Sequence, residues 1–101
     1  IMYKPLPKEL TIKESSIEGL GLFANEDILI NKEFGISHIK DKLFEDDYIR
    51  TPLGGFVNHS NNPNCEFYKD GNYIKLRTIK SISKGNELTA KYWLYDMESN
   101  D

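Results

Sequence analysis

At 101 residues the chain has the length of one domain and is too short for two. Its net charge of −3 argues against a nucleic-acid reader, which needs a basic stripe, and favours a basic partner such as a Lys/Arg-rich peptide. One cysteine, Cys65, excludes an internal disulfide framework, and with His38 and His59 beside it no convincing zinc set is present, so no structural metal is expected. No apolar run approaches the ~20 residues of a membrane span, and no charged segment precedes an apolar one at the N-terminus. Neither a membrane span nor a signal peptide is expected, and the reading is of an intracellular protein.

Leu10-Thr11-Ile12-Lys13 alternates apolar and polar with a β-branched bias and is closed by Glu14-Ser15-Ser16, which predicts a first strand. In Ile17-Glu18-Gly19-Leu20-Gly21-Leu22-Phe23-Ala24 two glycines flank one leucine and lead into an apolar run. Glycine there permits positive φ or lets a second backbone or a ligand come close, so the stretch is either a hairpin bend or a binding turn. A phosphate cradle is disfavoured, because no third glycine follows at dinucleotide spacing and no lysine at P-loop spacing.

Ile28-Leu29-Ile30-Asn31-Lys32-Glu33-Phe34 and Ile82-Ser83-Lys84-Gly85-Asn86-Glu87-Leu88 echo one another: isoleucine, a turn residue three on, glutamate five on, an apolar residue six on. Both read as β-corners, with Asn31 and Gly85 as the residue types that enter a left-handed turn most cheaply, and the chain is therefore mainly β. Asp41 to Arg50 carries apolar residues spaced for one or two helical turns, ended by Pro52 and Gly54. Phe56-Val57 reads as the end of a buried strand that stops abruptly in Asn58-His59-Ser60-Asn61-Asn62-Pro63-Asn64. Asparagines bond their own backbone and tolerate left-handed conformations, so a sharp turn is predicted. It is either a plain Asn-rich turn or a site with a defined hydrogen-bonding task. Cys65 to Tyr68 and Tyr73 to Ile79 flank Lys69-Asp70-Gly71-Asn72 as a hairpin with Asp-Gly at the turn, and Cys65 reads as a small buried strand residue. A last strand runs from Glu87 to Tyr92.

Gly19-Leu20-Gly21-Leu22-Phe23-Ala24, then Asn58-His59-Ser60 with Pro63-Asn64, then Gly85-Asn86-Glu87-Leu88-Thr89 ending in Tyr92 resemble, in order and spacing, the successive motifs of the SET-domain protein lysine methyltransferases. The chain is most similar to the compact viral-type SET proteins, which lack cysteine-rich flanking zinc segments. The resemblance covers about residues 10–95 and implies a single SET-like domain over residues 1–101, with 96–101 as a polar tail. It implies small curved β-sheets with a knot-like C-terminal crossing and little helix. It also implies S-adenosyl-L-methionine as cofactor, held by Glu18, Gly19, Leu20, Asn58 and His59, and Tyr92 as the catalytic tyrosine. The implied activity is lysine N-methylation of a basic protein or peptide, histones included.

Departures from the family pattern shape the expected substrate channel. Ser37-His38 stands where relatives commonly carry a glutamate-tyrosine pair, so the tunnel tyrosine is replaced by His38 or supplied by Tyr48. Trp93 stands where glycine usually follows the catalytic tyrosine, closing the cofactor pocket or filling core. The segment between residue 40 and Asn58 is short, and a homodimer or another partner could complete the substrate surface. Two other classes fit the sequence: a non-catalytic cofactor- or peptide-binding module of the same fold, and a structural β-rich interaction domain in which both motifs are only bends.

Overall fold

The computed structural model describes residues 6–40 and 48–91, with Tyr48 described by its backbone alone. The chain forms β1 (Leu10–Glu14), β2 (Leu20–Ala24), β3 (Glu33–Lys40), β4 (Tyr48–Arg50), the short helix α1 (Pro52–Phe56), β5 (Asn58–His59), β6 (Cys65–Asp70), β7 (Tyr73–Thr78) and β8 (Thr89–Ala90). β1 and β2 make a two-stranded antiparallel sheet, and the other six strands form a second sheet in the order β4-β3-β7-β6-β8-β5. The architecture is mainly β with little helix, as expected. The crossing that the resemblance implies involves the chain beyond Lys91 and lies outside the described residues.

Alternation builds the core. Cys65 and Phe67 of β6 and Ile74, Leu76 and Thr78 of β7 point inward, while Glu66, Lys75 and Arg77 between them stay partly exposed. Leu22, Val57 and Leu88 complete the layer from the other segments. β3 breaks the alternation. Its pairing with β7 slips between Glu33 and Gly35 and again between Ile36 and His38, and Gly35 takes φ 109 at the first slip. An extra residue in one strand turns consecutive side chains to the same side. Two neighbouring polar residues, Ser37 and His38, are therefore both buried.

The two echoing corners meet. Ile28 and Ile82 pair antiparallel through two hydrogen bonds of 2.8 Å, and Asn31 and Gly85 hold φ of 67° and 92°. Beyond its corner the chain runs antiparallel to the free edge of β2: Gly85 N–H donates to Ala24 O, Ala24 N–H to Asn86 O, and Leu88 N–H to Leu22 O. It then enters the larger sheet as β8, parallel to both β5 and β6. Residues 85–90 thus stitch the two sheets together.

Three local expectations are corrected. Tyr48–Arg50 is a strand paired with β3, and the helix begins after it at Pro52; residues 41–47 lie outside the described residues. Proline starts a helix readily because φ is preset and its missing N–H would be unsatisfied at that position anyway. Phe56 ends α1 and Val57 is the buried link into β5, rather than the end of a strand. The hairpin loop is Gly71-Asn72, with Asp70 still paired to Tyr73 and Gly71 at φ 65, so glycine leads the turn where Asp-Gly was expected.

Candidate functional site

The Gly-x-Gly turn and the Asn-rich stretch come together through one side chain. Asn58 Nδ2 donates to Glu18 O at 3.2 Å, to Leu20 O at 3.3 Å and to Glu87 Oε2 at 2.8 Å. The backbone explains why an amide stands here. Leu22 and Ala24 of β2 bond residues 85–88, but that segment departs before Leu20, and the Asn58 amide takes the place of a peptide N–H at the end of the ladder.

The two glycines of the turn do different jobs. Gly19 holds φ 48, a conformation that side chains enter at a cost, and a Cβ there would meet nothing within 4 Å. Its face is open to an approaching group. Gly21 is closed: a Cβ there would overlap the Glu87 carboxylate and lie 3.1 Å from Asn58 Nδ2. The positive φ expected from the sequence is realised at Gly19, while the group that comes close at Gly21 is a side-chain carboxylate rather than a second backbone or a ligand.

Glu87 is the residue that sequence reasoning passed over. Its carboxylate accepts from Ser15 Oγ at 2.8 Å and from Asn58, tying the end of β1, the turn and β5 to one point. Asn64 secures the same strand: its Nδ2 donates to Glu87 O at 2.9 Å, and its Oδ1 accepts Thr89 N–H at 2.8 Å.

The Asn-rich stretch does not use left-handed backbone. Among the described residues Asn31 is the one non-glycine with positive φ. The amides instead reach other segments: Asn58 and Asn64 as above, and Asn62 Oδ1 accepts from Lys80 Nζ at 3.2 Å. His59 is exposed, its Nε2 lying 3.2 Å from Asn61 Oδ1, and it neighbours Asn58 in β5.

His38 stands apart from this cluster, with β7, β6 and β8 between its strand and β5. It is 4% exposed, packs edge-on against Phe67 with ring centroids 5.4 Å apart, and has Nδ1 2.9 Å from Ser37 Oγ. Burial pushes its pKa down from 6.5 to about 4, and the Arg50 charge across the ladder acts in the same direction. It is therefore neutral at pH 7. Gly54 of α1 packs against the Ser37 carbonyl and the His38 ring, where a Cβ would overlap Ser37 O and come within 2.8 Å of His38 Cε1. Tyr92 and Trp93 lie outside the described residues, as does the Tyr48 side chain. An open depression of about 340 Å³ occurs elsewhere, over Glu26 to Lys32, and does not touch the amide cluster.

Comparison with known proteins agrees with this fold. The family model of the SET domain matches residues 36–93, more than half of the chain. The chain is 31% identical over 88 residues to a Caenorhabditis briggsae protein named "Probable histone-lysine N-methyltransferase set-23", covering 79% of this chain and 36% of that one. It is likewise 31% identical over 87 residues to the histone-lysine N-methyltransferase SETD7 of Halocynthia roretzi, covering 80% of this chain and 22% of the relative. The chain thus spans about a third or less of the length of these relatives. The methyltransferase domain of human PR domain-containing protein 2 superposes with a TM-score of 0.66 at 19% identity, over 84% of this chain and 77% of that one, a likeness of fold. Matched across more than half its length, the chain belongs to the SET-domain family.

Proposed function

We propose that this chain is an S-adenosyl-L-methionine-dependent protein lysine N-methyltransferase whose acceptor is a lysine of a basic protein, with histones as the first candidates. The observation that carries the reading is the open main-chain turn at Gly19 with the Asn58 amide fixed on the carbonyls of Glu18 and Leu20. Names of the relatives support it, two of them histone-lysine N-methyltransferases.

The residues present fit a ligand with both polar and apolar parts. Glu18, Gly19 and Leu20 expose main chain, Leu20 is 48% exposed, and a side-chain amide offers oxygen as well as nitrogen. In this reading Glu18, Gly19, Leu20, Asn58 and His59 hold the cofactor. When bound, S-adenosylmethionine supplies a methyl group carried on a sulfonium. Tyr92 orients the incoming amine, and His38, Tyr48 and Trp93 line its channel. A neutral His38 adds no charge to repel a lysine. The amine must lose a proton first, at about 4.6 kcal/mol from a pKa near 10.4 at pH 7, so the rate at subsaturating substrate should rise from neutral into alkaline pH.

Calorimetry with S-adenosylmethionine, followed by transfer of labelled methyl to a panel of basic proteins including histones, tests the proposal. Saturable binding and label recovered as methyl-lysine are expected. Binding without transfer would make the chain a non-catalytic module, and no binding would return the turn and the amides to a structural role. Asn58→Ala should weaken binding by roughly 1 to 3 kcal/mol, the cost of an unmatched polar group.

A further inference from the structure

The paired corners offer an internal control for what a solvent-facing corner needs. At the same two positions after the paired isoleucines, one carries Ser83-Lys84 and the other Leu29-Ile30. Leu29 is 78% exposed and Ile30 52%. The fold does not demand apolar residues there, because its sister corner makes the same turn with polar ones. The Leu29 corner is also held rigid. Thr78 Oγ1 donates to Leu29 O and accepts Lys32 N–H, Thr78 O accepts Asn31 N–H, and Thr78 N–H donates to Lys32 O. On a fixed backbone, a partner that covers these two side chains restricts their rotamers but need not order the loop as well.

The surroundings select the partner. Leu29 and Ile30 border the open depression of about 340 Å³, whose rim also carries Glu9, Glu26, Asp27 and Lys32. Lys32 is engaged by Glu9 at 3.2 Å and Asp27 Oδ1 accepts Lys84 N–H at 2.9 Å, which leaves the Glu26 carboxylate and the second oxygen of Asp27 as the acidic side of the rim. A second copy docking face to face would set these carboxylates against their equals, in a chain already at −3. We propose that the corner from Glu26 to Lys32 is a docking surface for a basic peptide segment of a partner protein, with Leu29 and Ile30 taking an apolar side chain and Glu26 and Asp27 flanking Lys or Arg. This surface is separate from the Asn58 cluster, and its test reads binding alone.

Three fluorescein-labelled random peptide pools serve as probes for the full chain: basic with Leu and Ile, basic with Ser in their place, and acidic with Leu and Ile. The basic-apolar pool should bind at least about tenfold tighter than the others, a difference of about 1.4 kcal/mol, and weaken with added salt. The double variant Leu29→Ser with Ile30→Lys copies the sister corner and should keep its melting temperature while losing that preference. Glu26→Lys should weaken the basic-apolar pool and strengthen the acidic-apolar one. Equal binding of all pools, no binding of the basic-apolar pool, or binding unmoved by these variants overturns the proposal. So does sedimentation showing a wild-type dimer that the double variant dissolves, since the occupant would then be a second copy.

Discussion

Replacing Gly21 by alanine probes the junction beneath the Gly-x-Gly turn directly. The new Cβ would overlap Glu87 Oε2 and stand 3.0 Å from its Cδ. That carboxylate is the tip of a flexible side chain, so it swings aside while β2 stays in place. What is lost are the hydrogen bonds that Ser15 Oγ and Asn58 Nδ2 donate to it, 2.8 Å each. Bonds to charged acceptors are worth about 1.5 to 3 kcal/mol each at most; partial exposure brings the expected total to roughly 1 to 3 kcal/mol. For a domain of this size each kcal/mol lowers Tm by about 4 to 8 °C. Glu87→Ala removes the same bonds by a different route, so the two costs overlap. The double variant should lose about as much as either single one, a coupling as large as the single cost, roughly 1 to 3 kcal/mol, where independent sites add within about 0.5 kcal/mol. Urea unfolding of the four proteins, followed by circular dichroism, measures it. Strictly additive costs, or a Gly21→Ala variant of unchanged stability, would refute the argument.

Acid should destabilise the fold through His38. Its pKa is about 4 folded against 6.5 unfolded, so between those values the unfolded chain binds the extra proton and stability falls as pH drops through that window, by about 3 kcal/mol at ~1.36 kcal/mol per unit. His38→Gln should lack this component, seen as a flatter pH dependence of urea stability than wild type; parallel curves would contradict it. Burial pushes the Cys65 thiol up to about 12, so at pH 8 it should react with a disulfide reagent only through opening of the fold and much faster in urea; immediate reaction of the native protein would contradict this. Tyr92→Phe should fold and bind S-adenosylmethionine yet lose methyl transfer by about 10²-fold or more, and wild-type turnover would remove Tyr92 from the mechanism.

Alternation made β1, β6 and β7 legible in the sequence, because each presents one face to the core and period two records that directly. The paired corners were legible for a different reason, since Asn31 and Gly85 advertise the left-handed backbone they adopt. β8 fell inside the strand expected from Glu87 to Tyr92, whereas β5 escaped because it is two residues long and held by a distant partner, leaving no local pattern. The same blindness hid Glu87. A carboxylate whose partners are Ser15, 72 positions away, and Asn58, 29 away, carries no mark in its own neighbourhood. The inward turn of both Ser37 and His38 was invisible too, because it depends on how β3 slips against β7.

The stitching of two sheets by residues 85–90 bears on when the molecule assembles its amide cluster during synthesis. β5 pairs with β8 alone among its neighbours in the sheet order, and the Asn58 amide shares Glu87 with Ser15. A ribosome that has released everything up to residue 80 has delivered the Gly-x-Gly turn and the Asn-rich stretch, but not the strand that holds them together. Contacts of this sequence separation form late, after loop closure has cost its entropy. Until the last corner emerges, β2 and β5 present unpaired edges to solvent or to a chaperone. A stall there leaves a nascent chain with the whole β6–β7 hairpin and nothing to join the Gly-x-Gly turn to Asn58.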